Sequence, residues 1–115
     1  MRAAVLAGLI VAMSGQCFAQ AAPKVDEKRL RTAFEEKLKD AESARFRAFK
    51  QGNLESEGSW RICGEVNAKN SFGAYEGFQP FLGRGFKESS AAPIEYQIAG
   101  VGEAAGNICA RHHLR

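Results

Sequence analysis

At 115 residues, with 16 Lys and Arg against 13 Asp and Glu, the chain carries a formal net charge of only +3. That balance is too mild to argue for nucleic acid or an anionic lipid surface as partner, and the length suits one small domain. Three cysteines in so short a chain make its compartment the next question.

Arg2 is the only charge before Lys24, and Ala3 to Met13 is almost wholly apolar before Ser14, Gly15 and Gln16. This is the pattern of a secretory signal peptide, whose apolar run falls short of the roughly 20 residues a spanning helix needs. Ala19 and Ala21 supply the small residues for cleavage before Ala22, while Cys17 and Ala19 permit a cut before Gln20. Gln16 stands where a lipoprotein signal has Gly, Ala or Ser, which argues against lipidation of Cys17. The reading is a signal peptide at 1–21 and a single small α+β domain at 22–115. The domain is expected in the periplasm of a Gram-negative bacterium, or secreted, with no stable membrane anchor.

Cleavage removes Cys17 and leaves Cys63 and Cys109, an even count that reads as one disulfide in an oxidising compartment. From Pro23 to Ala41, Leu30, Phe34, Leu38 and Ala41 recur at spacings of three and four, which predicts an amphipathic helix with Asp26 as its N-cap. Ala44 to Lys50 alternates as a first strand, and Gln51 to Ser59 is a polar connection. Trp60 to Ala68 is the clearest strand, with Trp60, Ile62, Gly64, Val66 and Ala68 on one face and Arg61, Cys63, Glu65, Asn67 and Lys69 on the other. Asn70–Ser71 marks a turn into a strand at Phe72 to Leu82. Lys87 to Pro93 is a loop, Ile94 to Val101 a strand, Gly102 to Asn107 a loop and Ile108 to Leu114 a last strand. The fold class is α+β: an N-terminal amphipathic helix on an antiparallel sheet of four or five strands, closed by Cys63–Cys109.

The run Cys63-Gly64-Glu65-Val66-Asn67-Ala68-Lys69-Asn70, leading into Phe72-Gly73-Ala74-Tyr75, resembles a motif of small exported bacterial proteins of unknown function. Upstream, Asp40, Ser43, Ala44, Phe46 and Arg47 match the segment that precedes the motif in that family. Ala41 stands where the family has proline, and Ala74 replaces a second glycine. The resemblance spans about Asp40 to Leu82 and implies a family, not a mechanism.

Glu65, Asn67, Lys69, Asn70 and Tyr75 are the candidate binding residues, offering donors and an acceptor beside a turn. The bland alternative is the polar face of a half-exposed strand. Phe72, Tyr75, Phe78, Phe81 and Phe86 interleave with glycines, as core packing does, or as a platform for a glycan, peptide or protein does. The run lacks the order of an RNA-binding sheet motif. Arg45, Arg47 and Lys50 read as a solvated face. Cys63, Cys109 and His113 make one ligand fewer than a structural zinc site needs, and no metal or other cofactor is expected. No catalytic motif stands out; the enzyme alternative is a small hydrolase or thiol enzyme using Cys63 or Glu65 with His112 or His113. A non-catalytic binding module for an envelope protein or glycan, such as an inhibitor or accessory of an envelope enzyme, is the favoured reading. A structural subunit of an envelope complex is the third.

Overall fold

A computed structural model of the chain describes residues 20–112. The expected leader up to residue 19 and His113 lie outside the described residues. The Asp26 carboxylate accepts the Arg29 N–H at 3.1 Å and caps helix α1 (Glu27–Ala33), with Glu27 in its first turn and Arg31 in its last. Leu30 and Phe34 are fully buried.

The helix expected to reach Ala41 stops after seven residues. Its stripe of Leu30, Phe34 and Leu38 persists, but Phe34 turns into the core with its ring edge-on to Phe81 at 5.1 Å. The backbone winds past Phe34 in tighter turns, donating from Phe34 to Arg31 O at 3.1 Å, from Glu35 to Thr32 O at 3.1 Å and from Lys37 to Phe34 O at 2.9 Å. Asp40 then accepts from Ser43 N–H at 3.2 Å and caps a single 3-10 turn, Ala41–Ser43. Local side-chain bonding of this kind competes with helix continuation, and here it ends the helical segment.

Strands β1 (Arg45–Gln51), β2 (Ser59–Asn67), β3 (Gln79–Phe86) and β4 (Glu95–Val101) form one antiparallel sheet in the order β1-β2-β3-β4. The fold is thus α+β. β2 alternates as its sequence predicts, burying Trp60, Ile62, Gly64 and Val66 on the α1 side. Trp60 lies on Gly85 of β3, where a Cβ would overlap the indole, and stands edge-on to Tyr96 of β4. The Tyr96 hydroxyl accepts the Asp26 N–H at 3.1 Å, tying β4 to the start of α1.

β1 departs from simple alternation. Arg47 pairs with Glu65 and Lys50 with Cys63, so Ala48 and Phe49 together oppose the single residue Gly64. Ala48 takes a φ of 55°, the left-handed region that absorbs the extra residue. This bulge reverses the parity of the strand. Phe49 joins Phe46 on the core side, 6.1 Å ring to ring, and both stand edge-on to Phe81. Lys50 is brought to the face already carrying Arg45 and Arg47.

Two expectations fail beyond residue 67. Phe72 to Gly77 is loop and turn, with β3 starting only at Gln79, because Gly73 and Gly77 adopt φ of 78° and 114° in backbone no strand uses. The expected loop and strand from Gly102 to Leu114 is instead helix α2 (Glu103–Arg111), so the longer helix is C-terminal and not N-terminal. Ile108, Ala110 and His112 mimic strand alternation, yet the buried residues are Ala105 and Cys109, one helical turn apart. Gly106 lets α2 sit against Pro80 of β3. Cys109 bonds Cys63 of β2, holding α2 on the sheet face opposite α1. Among the described residues, no helix is long and apolar enough to cross a membrane.

Candidate binding face

The motif residues divide into a frame and a face. Asn70 is the centre of the frame. Its side-chain oxygen accepts the N–H groups of Phe72 at 2.8 Å and Ala74 at 3.2 Å, and its side-chain nitrogen donates to Glu76 at 2.6 Å. Its backbone N–H donates to Ala74 O at 2.9 Å and its carbonyl accepts from Gly73 N–H at 3.0 Å. Lys69 and Tyr75 close the turn as a bridged antiparallel pair. Asn67 accepts the Gly77 N–H at 3.1 Å, fastening the far end of the loop to β2. Ser43, on the 3-10 turn, accepts the Lys69 N–H through its hydroxyl at 2.9 Å and the Tyr75 hydroxyl through its carbonyl at 2.8 Å. Asn70, through both its oxygen and its amide nitrogen, and Asn67, through its oxygen, are therefore engaged in shaping the 67–78 loop.

The face is made by the residues this frame positions. The Arg45 guanidinium stacks over the Tyr75 ring at 4.2 Å from its centroid, and that of Arg47 over Phe78 at 3.7 Å. Lys69 Nζ sits 5.8 Å from the Tyr75 centroid. Arg47 Nε donates to Glu65 Oε1 at 2.8 Å across the β1–β2 pair. With Arg47 and Glu65 side chains 57% and 36% exposed, this ion pair orients more than it stabilises, at about 0–1 kcal/mol. Each exposed cation–π contact adds roughly 0.5–1 kcal/mol. Arg45 has no carboxylate partner among the described residues, whereas Arg47 Nε is taken by Glu65. The arrangement is thus a preformed row of donors suited to carboxylates or other anions.

Of the predicted site residues, Glu65, Lys69 and Tyr75 lie on this row, whereas Asn67 and Asn70 hold the loop beneath it. Arg45 and Arg47, expected as a solvated face, and Phe78, expected as core or as part of an aromatic platform, line the same row. Their signal was present: Arg-x-Arg on one strand opposite Glu-x-Asn on the next places charge against charge in an antiparallel pair. The predicted aromatic run splits by fate. Phe81 is core, Tyr75 and Phe78 are half-buried under guanidinium groups, and Phe72 is 93% exposed at the tip of the loop.

The sulfur of Cys63 is committed to Cys109, so the disulfide-bonded protein has no thiolate there. Glu65 is engaged by Arg47, and His112 is exposed at the C-cap of α2. Among the described residues, no three His, Cys, Asp or Glu side chains gather as a metal site. The displaced titrations lie elsewhere. Burial raises the Tyr96 hydroxyl above its ordinary value, against the lowering effect of the Asp26 N–H. Hydrogen bonding from Ser59 lowers the Glu57 carboxyl. An open groove of about 570 Å³ runs between α1 and β4 past Asp26, Arg29, Tyr96 and Glu95, away from the motif. No protein-family model, curated protein or solved structure matches the chain.

Proposed function

We propose that the protein is an exported periplasmic binding module whose recognition surface is the cation–aromatic row of Arg45, Arg47, Lys69, Tyr75 and Phe78 with Glu65. The observation that carries this reading is the pair of guanidinium groups stacked side by side on Tyr75 and Phe78, held by a loop that consumes most of the motif's polar side chains. Export is supported by the apolar leader ending near Ala21 and by the disulfide, which persists in oxidising compartments. Membership of the exported family that Asp40 to Leu82 resembles is part of the same proposal. A protein partner is favoured over a neutral glycan, because arginine covers Tyr75 and Phe78 and leaves Phe72 as the single open ring on the loop. An inhibitor or accessory of an envelope enzyme is a concrete form of this role.

The test is affinity purification from periplasmic extract with three baits: the unaltered protein, an Arg45→Glu/Arg47→Glu variant and a Lys28→Glu variant on α1. A partner retained by the first and third but released by the second, and released from the unaltered bait by raised salt, is the expected result. Identical retention by all three baits sinks the proposal.

A further inference from the structure

Phe72 is 93% exposed, yet its own N–H is bonded to the Asn70 side chain and its neighbours Gly73 and Ala74 are tied to the same residue. These bonds fix the backbone on both sides of a ring that stands in water. Glu65 is paired with Arg47, and Glu76 keeps its charge under the neutral Asn70 amide, so Arg45 and Lys69 outweigh the one unpaired carboxylate beside the loop. We infer that Phe72 is the anchor of a protein–protein contact, entering an apolar pocket of a folded partner whose rim carries carboxylates for Arg45 and Lys69. The inference rests on the binding face proposed above and adds its central contact and the chemistry of the opposing surface.

Magnitude selects a protein over a lipid surface. A myristoyl chain, with twice the carbon of a benzyl group, gives only marginal and reversible membrane binding, and a single ring supplies less. A protein pocket encloses the whole ring, fixes its acidic rim in place and excludes water from both, which is how a single aromatic comes to dominate an interface. Pre-organisation of the loop removes the ordering cost that otherwise weakens such anchors.

The experiment places the photo-crosslinking residue p-benzoylphenylalanine, in the full chain expressed in its native cells, at Phe72, at Lys69 or at Thr32 on α1. Irradiation at positions 72 and 69, but not 32, is expected to yield an adduct with one protein. The peptide crosslinked at 72 should combine apolar residues with Asp or Glu, and the adduct should disappear when Arg45→Glu/Arg47→Glu is added. That partner, purified, should bind a Phe72→Ala variant at least about 30-fold more weakly, the range of an interface hot spot. The variant's own thermal midpoint should be unchanged, because the ring is solvent-exposed. An adduct only with phospholipid, only with a second copy of the chain, or with a surface lacking acids overturns the inference, as does an undiminished affinity of Phe72→Ala. Adducts at 69 with none at 72 overturn the anchor and leave the binding face standing; adducts at neither position remove both.

Discussion

Reduction of Cys63–Cys109 is the perturbation with the largest expected effect on the fold. The bond closes a loop of sequence separation 46. Chain-entropy reasoning for that length gives about 4 kcal/mol at 25 °C. A domain of this size has roughly 5–15 kcal/mol in all, so about a quarter to four-fifths of its margin rests on one bond. The structure locates the loss: α2 is nine residues long, buries only Ala105 and Cys109, and is too short to persist alone. Urea unfolding followed by the fluorescence of Trp60, with and without reductant, measures the effect. With a slope of about 1–2 kcal/mol per molar, the midpoint should fall by roughly 2–4 M. The thermal midpoint should fall by roughly 15–30 °C, and far-UV circular dichroism should lose helical signal before the sheet melts. A midpoint shift below about 0.5 M would refute the reasoning, because it would mean that α2 is held by its packing against Pro80 and not by the bond.

Asn70→Ala removes the acceptor of two N–H groups and the donor to Glu76, and should cost about 1–3 kcal/mol of stability while loosening only the 67–78 loop. Thermal unfolding together with amide exchange at Phe72 and Ala74 reads both effects. Tyr96 titrates above the ordinary tyrosine value because burial penalises its charged form. A group with a raised folded-state pKa contributes stability that is complete below its unfolded value near 10 and is lost as pH rises through the folded value. Stability should therefore fall on alkaline titration past pH 10. Tyr96→Phe should flatten that limb while losing about 1 kcal/mol at neutral pH with the Asp26 bond.

The parts of the fold that were legible in the sequence share a cause. Trp60 to Asn67 alternates strictly because each residue has one face and a neighbouring strand on both sides, and Cys63 and Cys109 were the only pair left once Cys17 was assigned to the leader. The misread segments fail where periodicity stops being decisive. The stripe through Leu38 is genuine, but Phe34 packing on Phe81 and the Asp40 cap shorten the helix by tertiary and local competition that spacing alone does not register. In α2 the apolar residues are too few to distinguish a period of two from 3.6, and the tether through Cys109 decides the outcome. The site was half legible for a related reason. Asn67 and Asn70 look like ligand donors in one dimension, and only the positive φ at Gly73 and Gly77 shows their amides bent back onto the loop. Arg45 and Arg47 look like a solvated stripe until the loop brings Tyr75 and Phe78 beneath them.

The rigidity of the 67–78 loop is the premise shared by the binding face and the Phe72 anchor, and backbone ¹⁵N relaxation on the oxidised protein tests it directly. Order parameters of about 0.8 or above from Lys69 to Gly77, equal to those of β2 and β3, are the expected result, with Phe72 as ordered in its backbone as its neighbours. Values below about 0.6 across Ser71 to Ala74 would contradict it, since a loop that samples many conformations presents neither a fixed aromatic anchor nor a preformed row of cations.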